Sequence, residues 1–192
     1  MKKIVILFSG NGTNLQNIAK KLHNKSLIIA KAITNNPKAK GIIRAKRFGI
    51  EVEVIDHTTF ASREEFDKAL VAAIKEVEPD LVVLAGFMRI LTPIFTDAIT
   101  NAINIHPSLL PLFKGAKAIE RSFASDMKVA GVTVHWVSAE LDGGKIIDQA
   151  CFHREDESLE EFEAKIHALE YDLYPKVIEK ILLKRSLQKA SE

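Results

Sequence analysis

The sequence predicts an α/β fold, a single doubly wound, mostly parallel sheet with helices on both faces. Three observations predict it. Ile4 to Phe8, Leu27 to Ile33 and Leu81 to Ala85 are short apolar runs, interrupted only by Lys31, and bounded by turn residues, the pattern of parallel strands buried on both faces. Helical patterns fall between these runs. Strand and helix in alternation imply right-handed crossovers and helices on both sides of the sheet.

Taken in order, the chain opens Met1-Lys2-Lys3 and runs apolar only from Ile4 to Phe8, too short for a signal segment or a membrane span. It reads as a first strand. Ser62-Arg63-Glu64-Glu65 has capping-box spacing, and Phe66, Ala69, Leu70, Ala73 and Val77 form one apolar stripe behind it. Pro79 is expected to close that helix. In the second half Ile103 to Ile105 reads as a brief strand. Gly131 to Val137 and Lys145 to Phe152 read as two more, facing one another across Asp142-Gly143-Gly144. A closing helix begins at Ser158 with a second capping box through Glu161 and carries the stripe Phe162, Ile166, Leu169, Leu173. Pro175 is expected to break or kink it. With no repeat and no linker, residues 1–192 read as one domain.

Composition narrows the function. The chain has 192 residues, 47% of them hydrophobic, enough to bury a core without metal or disulfide staples. Its 27 Lys and Arg nearly cancel 25 Asp and Glu, so nucleic acid is not an expected partner, and no membrane partner is expected either. Lys180, Lys184, Arg185 and Lys189 read as a solvated helix end that suits the helix dipole. A single cysteine, Cys151, rules out an intramolecular disulfide and points to a reducing, cytoplasmic site. Cys151 and His153 share a strand face, but two ligands without a second pair make a poor zinc site, and no metal is expected.

Ser9-Gly10-Asn11-Gly12-Thr13-Asn14 joins the first strand to the first helix. Glycines there let the backbone approach a ligand, and free helix N–H groups attract anions. Leu15 stands where a dinucleotide fingerprint needs its third glycine, and Thr34-Asn35-Asn36 offers no acid for a ribose, so NAD is disfavoured. The loop also lacks the Lys followed by Ser or Thr of a P-loop. What fits is a small monophosphate held by backbone N–H groups with help from Thr13 and Asn14. Taken alone, the loop reads equally as a tight turn with Asn and Thr caps.

Asn104-Ile105-His106-Pro107-Ser108-Leu109-Leu110-Pro111 begins at the end of a predicted strand, where open α/β sheets display ligand-binding groups. Alternation places Asn104 and His106 on one face, and the two prolines stiffen the exit. Asp142 waits in a later Asp-Gly turn. Spacing alone leaves open whether these residues meet, or whether His106 merely packs and Asp142 starts an ordinary turn. His135, inside an alternating strand with no rigid turn beside it, is a worse candidate for a base.

Together, Ser9 through Asn14, Leu84-Ala85-Gly86-Phe87-Met88-Arg89-Ile90-Leu91, Asn104 through Pro111 and Glu140 through Gly144 resemble the ordered signatures of the 10-formyltetrahydrofolate-dependent formyltransferases. The resemblance covers nearly the whole chain and implies their Rossmann-like fold, with a phosphate-binding half over residues 1–100 and a catalytic, folate-binding half over residues 101–192. The glycine loop, with Glu170 in the stretch from His167 to Pro175, is similar to the branch that formylates glycinamide ribonucleotide in purine (IMP) synthesis. It implies that Gly12, Thr13 and Asn14 bind the substrate phosphate and Glu170 the ribose hydroxyls or glycinamide end. Formyl folate, as co-substrate, would lie across Met88, Arg89, Ile90 and Leu91 and across Ser138, Ala139, Glu140, Leu141 and Asp142, its tail passing Arg63. Two departures stand out: Ala116-Lys117 replaces the usual Leu-His, and Lys145 follows Gly144 where a proline is usual.

Formyl transfer needs an oxyanion stabilised and a proton moved from the attacking amine to the leaving folate nitrogen. Asn104 suits the first, worth on the order of 3 kcal/mol. His106 suits the second or donates to the oxyanion, worth roughly a hundredfold to ten-thousandfold. Asp142 would favour the charged imidazole and orient it. Direct transfer without a covalent enzyme intermediate is expected. The alternatives are a sugar-nucleotide formyltransferase, a formyltetrahydrofolate hydrolase or a non-catalytic nucleotide-binding module; 192 residues leave no room for the added domains of the hydrolase or of a methionyl-tRNA formyltransferase. A monomer or homodimer is expected.

Overall fold

In the computed structural model residues 1–189 are described, with side chains as far as Lys184; the side chains of Arg185 and Lys189 in the basic C-terminus lie outside the described residues. The elements follow in the order β1 (Lys2–Phe8), α1 (Thr13–Leu22), β2 (Leu27–Thr34), α2 (Gly41–Arg47), β3 (Val52–Val54), α3 (Arg63–Lys75), β4 (Leu81–Leu84), α4 (Pro93–Ala98), β5 (Ala102–His106), α5 (Ala118–Phe123), β6 (Val129–Trp136), β7 (Ile146–His153) and α6 (Leu159–Lys189).

The strands form one sheet in the order β3-β2-β1-β4-β5-β6-β7. The first five are parallel; β6 and β7 are antiparallel, joined by the Asp142-Gly143-Gly144 turn. Burial on both faces explains the apolar runs; Lys31, the one charge within them, is buried and paired with Glu53 at 2.7 Å and Glu76 at 2.9 Å. Ile4, Ile6 and Phe8 of β1 pack with α1, α2 and α6, whereas Val5 and Leu7 pack with the α3 and α4 residues Phe66, Leu70 and Phe95. No helix among the described residues is long and apolar enough to cross a membrane.

Of the two capping boxes, that at Ser158 forms in full and that at Ser62 by half. Ser62 Oγ accepts from Glu65 N at 3.2 Å, although the Glu65 carboxylate takes the N–H of Ala61. At Ser158 the exchange is reciprocal, Glu161 N to Ser158 Oγ at 3.2 Å and Ser158 N to Glu161 Oε2 at 2.8 Å. Helix α3 stops at Lys75, before Pro79, and its exit turns through Glu78 at φ 47°.

Of the two outcomes expected at Pro175, a break does not occur: α6 runs through it. A proline removes the N–H that would serve the carbonyl four residues earlier, here Tyr171. That carbonyl instead accepts from Asn17 Nδ2 at 2.8 Å and Lys21 Nζ at 2.6 Å, both on α1. The lost intrahelical bond becomes a tie between α1 and α6.

Candidate active site

The strand order reverses between β1 and β4, and ligands of open α/β sheets bind outside the strand ends at such a point. Ser9 locks the loops there. Its backbone N–H donates to Gly86 O at 3.0 Å, its hydroxyl donates to Asn35 Oδ1 at 2.6 Å, and Met88 N donates to that hydroxyl at 2.7 Å. The glycine loop after β1 is therefore fastened to the Gly86–Leu91 segment after β4.

Within the glycine loop, Gly12 adopts φ 69° just before α1, a conformation that favours glycine. A Cβ on it would sit 2.6 Å from Gly41 Cα, so the two backbones touch here. Asn14 in the first turn of α1 is buried, and its amide Nδ2 donates to Glu170 Oε2 at 3.2 Å. Its side chain thus addresses Glu170, and the carbonyl Oδ1 is buried without a partner. Glu170 is itself only 5% exposed, so it is not a solvated helix residue. Residues 156 apart in sequence meet because α1 and α6 pack together on one face of the sheet.

Asn104 and His106 project from β5 on the α3/α4 side, as alternation requires, while Ile103 and Ile105 enter the opposite core. Asp142 does meet His106: its Oδ2 lies 3.4 Å from His106 Nδ1 and accepts from Gly115 N at 2.8 Å. The other ring nitrogen, Nε2, faces Phe113 O at 2.9 Å, so it carries a proton and donates to that carbonyl. His106 is buried behind the Leu112–Lys117 segment, and Lys114 ties that segment to Glu140 at 2.8 Å. The Ser108 turn is held less by its prolines than by Thr133, whose hydroxyl donates to Ser108 O at 2.7 Å and accepts from Leu110 N at 3.0 Å.

Sequence reasoning undervalued His135. It pairs directly with Asn104 across β5 and β6, with Asn104 Nδ2 3.2 Å from His135 Nε2. Nδ1 lies 2.9 Å from Trp136 O, and since a carbonyl only accepts, the proton sits on Nδ1 and Nε2 accepts from Asn104. Burial pushes the imidazole below its ordinary pKa and so favours this neutral form, against the smaller opposing effects of the Trp136 carbonyl and Asp142. The signal available in the sequence was position: Thr133 and His135 alternate with Val132 and Val134, so they share the face of the neighbouring Asn104 and His106.

A small open cleft lies beside these groups, lined by Leu84, Phe87, Arg89, Ile90, Leu91, Asn104, His135 and the stretch from Val137 to Asp142. It brings together the expected Arg89, Ile90 and Leu91 with Ser138, Ala139, Glu140, Leu141 and Asp142. The expected substrate residues Gly12, Thr13, Asn14 and Glu170 are not in its lining, and neither are three of the residues expected at the folate and the reacting centre. Met88 points to solvent at 80% exposure, His106 stands behind Asp142, and Arg63 is exposed at the start of α3, one turn before Phe66. Phe66 stacks on Phe87 and carries the Arg89 guanidinium 5.7 Å from its ring centroid. Ala116, Lys117 and Lys145 are exposed and outside the lining. Among the described residues no three His, Cys, Asp or Glu side chains are grouped to hold a metal ion.

A sheet that reverses order beside a glycine loop, with a half-buried Asn104 and Asp142 at a cleft and a buried His106 against Asp142, is the arrangement of a group-transfer enzyme. The family model described as formyl transferase matches residues 2–178, and the chain belongs to that family. Within it, the similarity is to phosphoribosylglycinamide formyltransferases over most of their length. The Haemophilus influenzae enzyme is 42% identical over 93% of this chain and 86% of its own, and that of Bacillus subtilis 37% identical over 95% of each. The crystal structure of the Campylobacter jejuni phosphoribosylglycinamide formyltransferase superposes with a TM-score of 0.92 at 55% identity, covering 94% of this chain and 97% of that one.

Proposed function

We propose that this enzyme transfers the formyl group of 10-formyltetrahydrofolate to the amine of glycinamide ribonucleotide, a step of de novo purine biosynthesis. The observation that carries it is the meeting of Asn104 and Asp142 at the wall of a cleft that the Ser9 to Met88 bond fastens to the glycine loop. The phosphate is bound by the N–H groups of Gly12, Thr13 and Asn14 at the start of α1, where the helix dipole favours an anion. Glu170 takes the ribose hydroxyls or glycinamide end. The folate ring lies between Met88–Leu91 and Ser138–Asp142, and its tail passes Arg63.

In the reaction the substrate amine attacks the formyl carbon and a tetrahedral oxyanion forms. One hydrogen of the Asn104 amide is given to His135, so the other is free for the oxyanion. The bond from the formyl carbon to the folate nitrogen then breaks as a proton passes from the attacking amine to that nitrogen. Asp142 faces the cleft and His106 Nδ1 stands behind it, so proton exchange runs through this pair, tightening from its 3.4 Å separation when substrate arrives. No nucleophilic side chain enters, and transfer is direct. A reducing cytoplasm suits the single exposed thiol of Cys151.

The test is incubation with 10-formyltetrahydrofolate in the presence and absence of glycinamide ribonucleotide. Tetrahydrofolate release that depends on the ribonucleotide is expected; equal release without it would mean a hydrolase.

A further inference from the structure

His167 stands one turn before Glu170 on α6, with its Nδ1 2.9 Å from Glu170 Oε2. The same carboxylate oxygen accepts from Asn14 Nδ2 at 3.2 Å. Both protein donors therefore converge on Oε2, and Oε1 has no protein partner among the described residues. This pins the carboxylate by one oxygen and presents the other. Glu170 is buried while the His167 side chain is 44% exposed, so the histidine links a buried carboxylate to solvent. Its ring is held from behind by stacking on Tyr171, centroids 6.2 Å apart.

We propose that His167 is a positioning residue for the ribonucleotide: as imidazolium it fixes Glu170 through Oε2, so that Oε1 meets the substrate's hydroxyl or ammonium hydrogens. The inference rests on the reading that Glu170 binds the ribonucleotide. The charges bearing on the ring are the carboxylates of Glu170 and Glu163 on α6. Helix α1, packed against this stretch, brings the uncharged Asn14 amide to Glu170 and Lys21 to the Tyr171 carbonyl. Glu170 holds the imidazole above its ordinary pKa against the opposing effect of burial. The charged contact is therefore complete at low pH and weakens to a neutral hydrogen bond as pH rises through that raised value.

The test is the KM for glycinamide ribonucleotide of wild type, His167→Ala, His167→Gln and Glu170→Gln, at pH 6 and pH 8, with kcat and the folate KM read alongside. His167→Ala should raise the ribonucleotide KM about fivefold at pH 6, a magnitude reduced by the ring's partial exposure, without moving the folate KM or kcat. His167→Gln, which keeps a donor that does not titrate, should restore most of this. The ratio of its KM to the wild-type KM should fall towards one by pH 8, a comparison that removes the titration of the substrate phosphate. An unchanged ribonucleotide KM in His167→Ala beside a raised one in Glu170→Gln overturns the role of His167 and leaves that of Glu170. No change in either variant overturns the Glu170 reading itself. Parallel losses in kcat and both KM values mark a merely structural residue and also overturn the proposal.

Discussion

Asn104 and His135 stand directly opposite one another on β5 and β6, joined from amide Nδ2 to imidazole Nε2 at 3.2 Å. A neutral ring with its proton on Nδ1 is the form that accepts this bond, and it fixes which end of the amide can face a developing oxyanion.

His135→Ala should therefore lower kcat by about tenfold or more, since an amide free to rotate loses its preorganisation. His135 also sets a pH dependence. Its folded pKa is lowered, so as pH falls below the ordinary 6.5 the unfolded chain takes up a proton that the folded ring refuses. Stability should drop with acidification across that window, and thermal melts at pH 7.5 and 5.5 should show a larger fall for wild type than for His135→Gln. Equal falls would remove burial of His135 as the cause.

Arg63 is exposed at the first turn of α3, where a cation opposes the helix dipole and gains from an anionic partner. Arg63→Ala should raise the folate KM several-fold with less effect on kcat. An unchanged folate KM removes Arg63 from the binding surface.

Gly12 holds φ 69° with Gly41 Cα where a Cβ would have to go. Gly12→Ala should cost about 1–3 kcal/mol in urea unfolding and raise the ribonucleotide KM, because relief of the clash displaces the phosphate loop. A stable variant with an unaltered KM would show that the loop is not the phosphate site.

The Tyr171 carbonyl that Pro175 leaves free gives a prediction in stability alone. Asn17→Ala should cost about 1 kcal/mol in the natural chain, and clearly less in a Pro175→Ala background, where the new N–H serves the carbonyl. Equal costs in both backgrounds would mean that the α1 donors do not replace the missing bond.

What the sequence displayed follows from how local each signal is. The strands of β1, β2 and β4 are buried on both faces and so spell themselves as apolar runs, and the boxes at Ser62 and Ser158 are bonds between residues three apart. The short β3, α2, α4 and α5 span three to seven residues, less than two helical turns, and show no period. Pro175 misled because the bond replacing its own comes from 154 residues away. In the site, alternation placed Asn104 with His106, whereas His135 enters through an antiparallel register that no local pattern discloses. The placement of His106 behind Asp142, with Nε2 given to the Phe113 carbonyl, likewise depends on a loop whose path is set by Gly115 and Lys114.

The most direct test of formyl transfer at this site is single-turnover reaction of 10-formyltetrahydrofolate with glycinamide ribonucleotide, comparing wild type with Asn104→Ala, His106→Ala and Asp142→Ala after folding is checked by circular dichroism. Each variant should bind both substrates and transfer the formyl group about a hundredfold to a thousandfold more slowly. Transfer at the wild-type rate by any one of them would contradict that residue's place in the mechanism, and by all three would move the chemistry elsewhere.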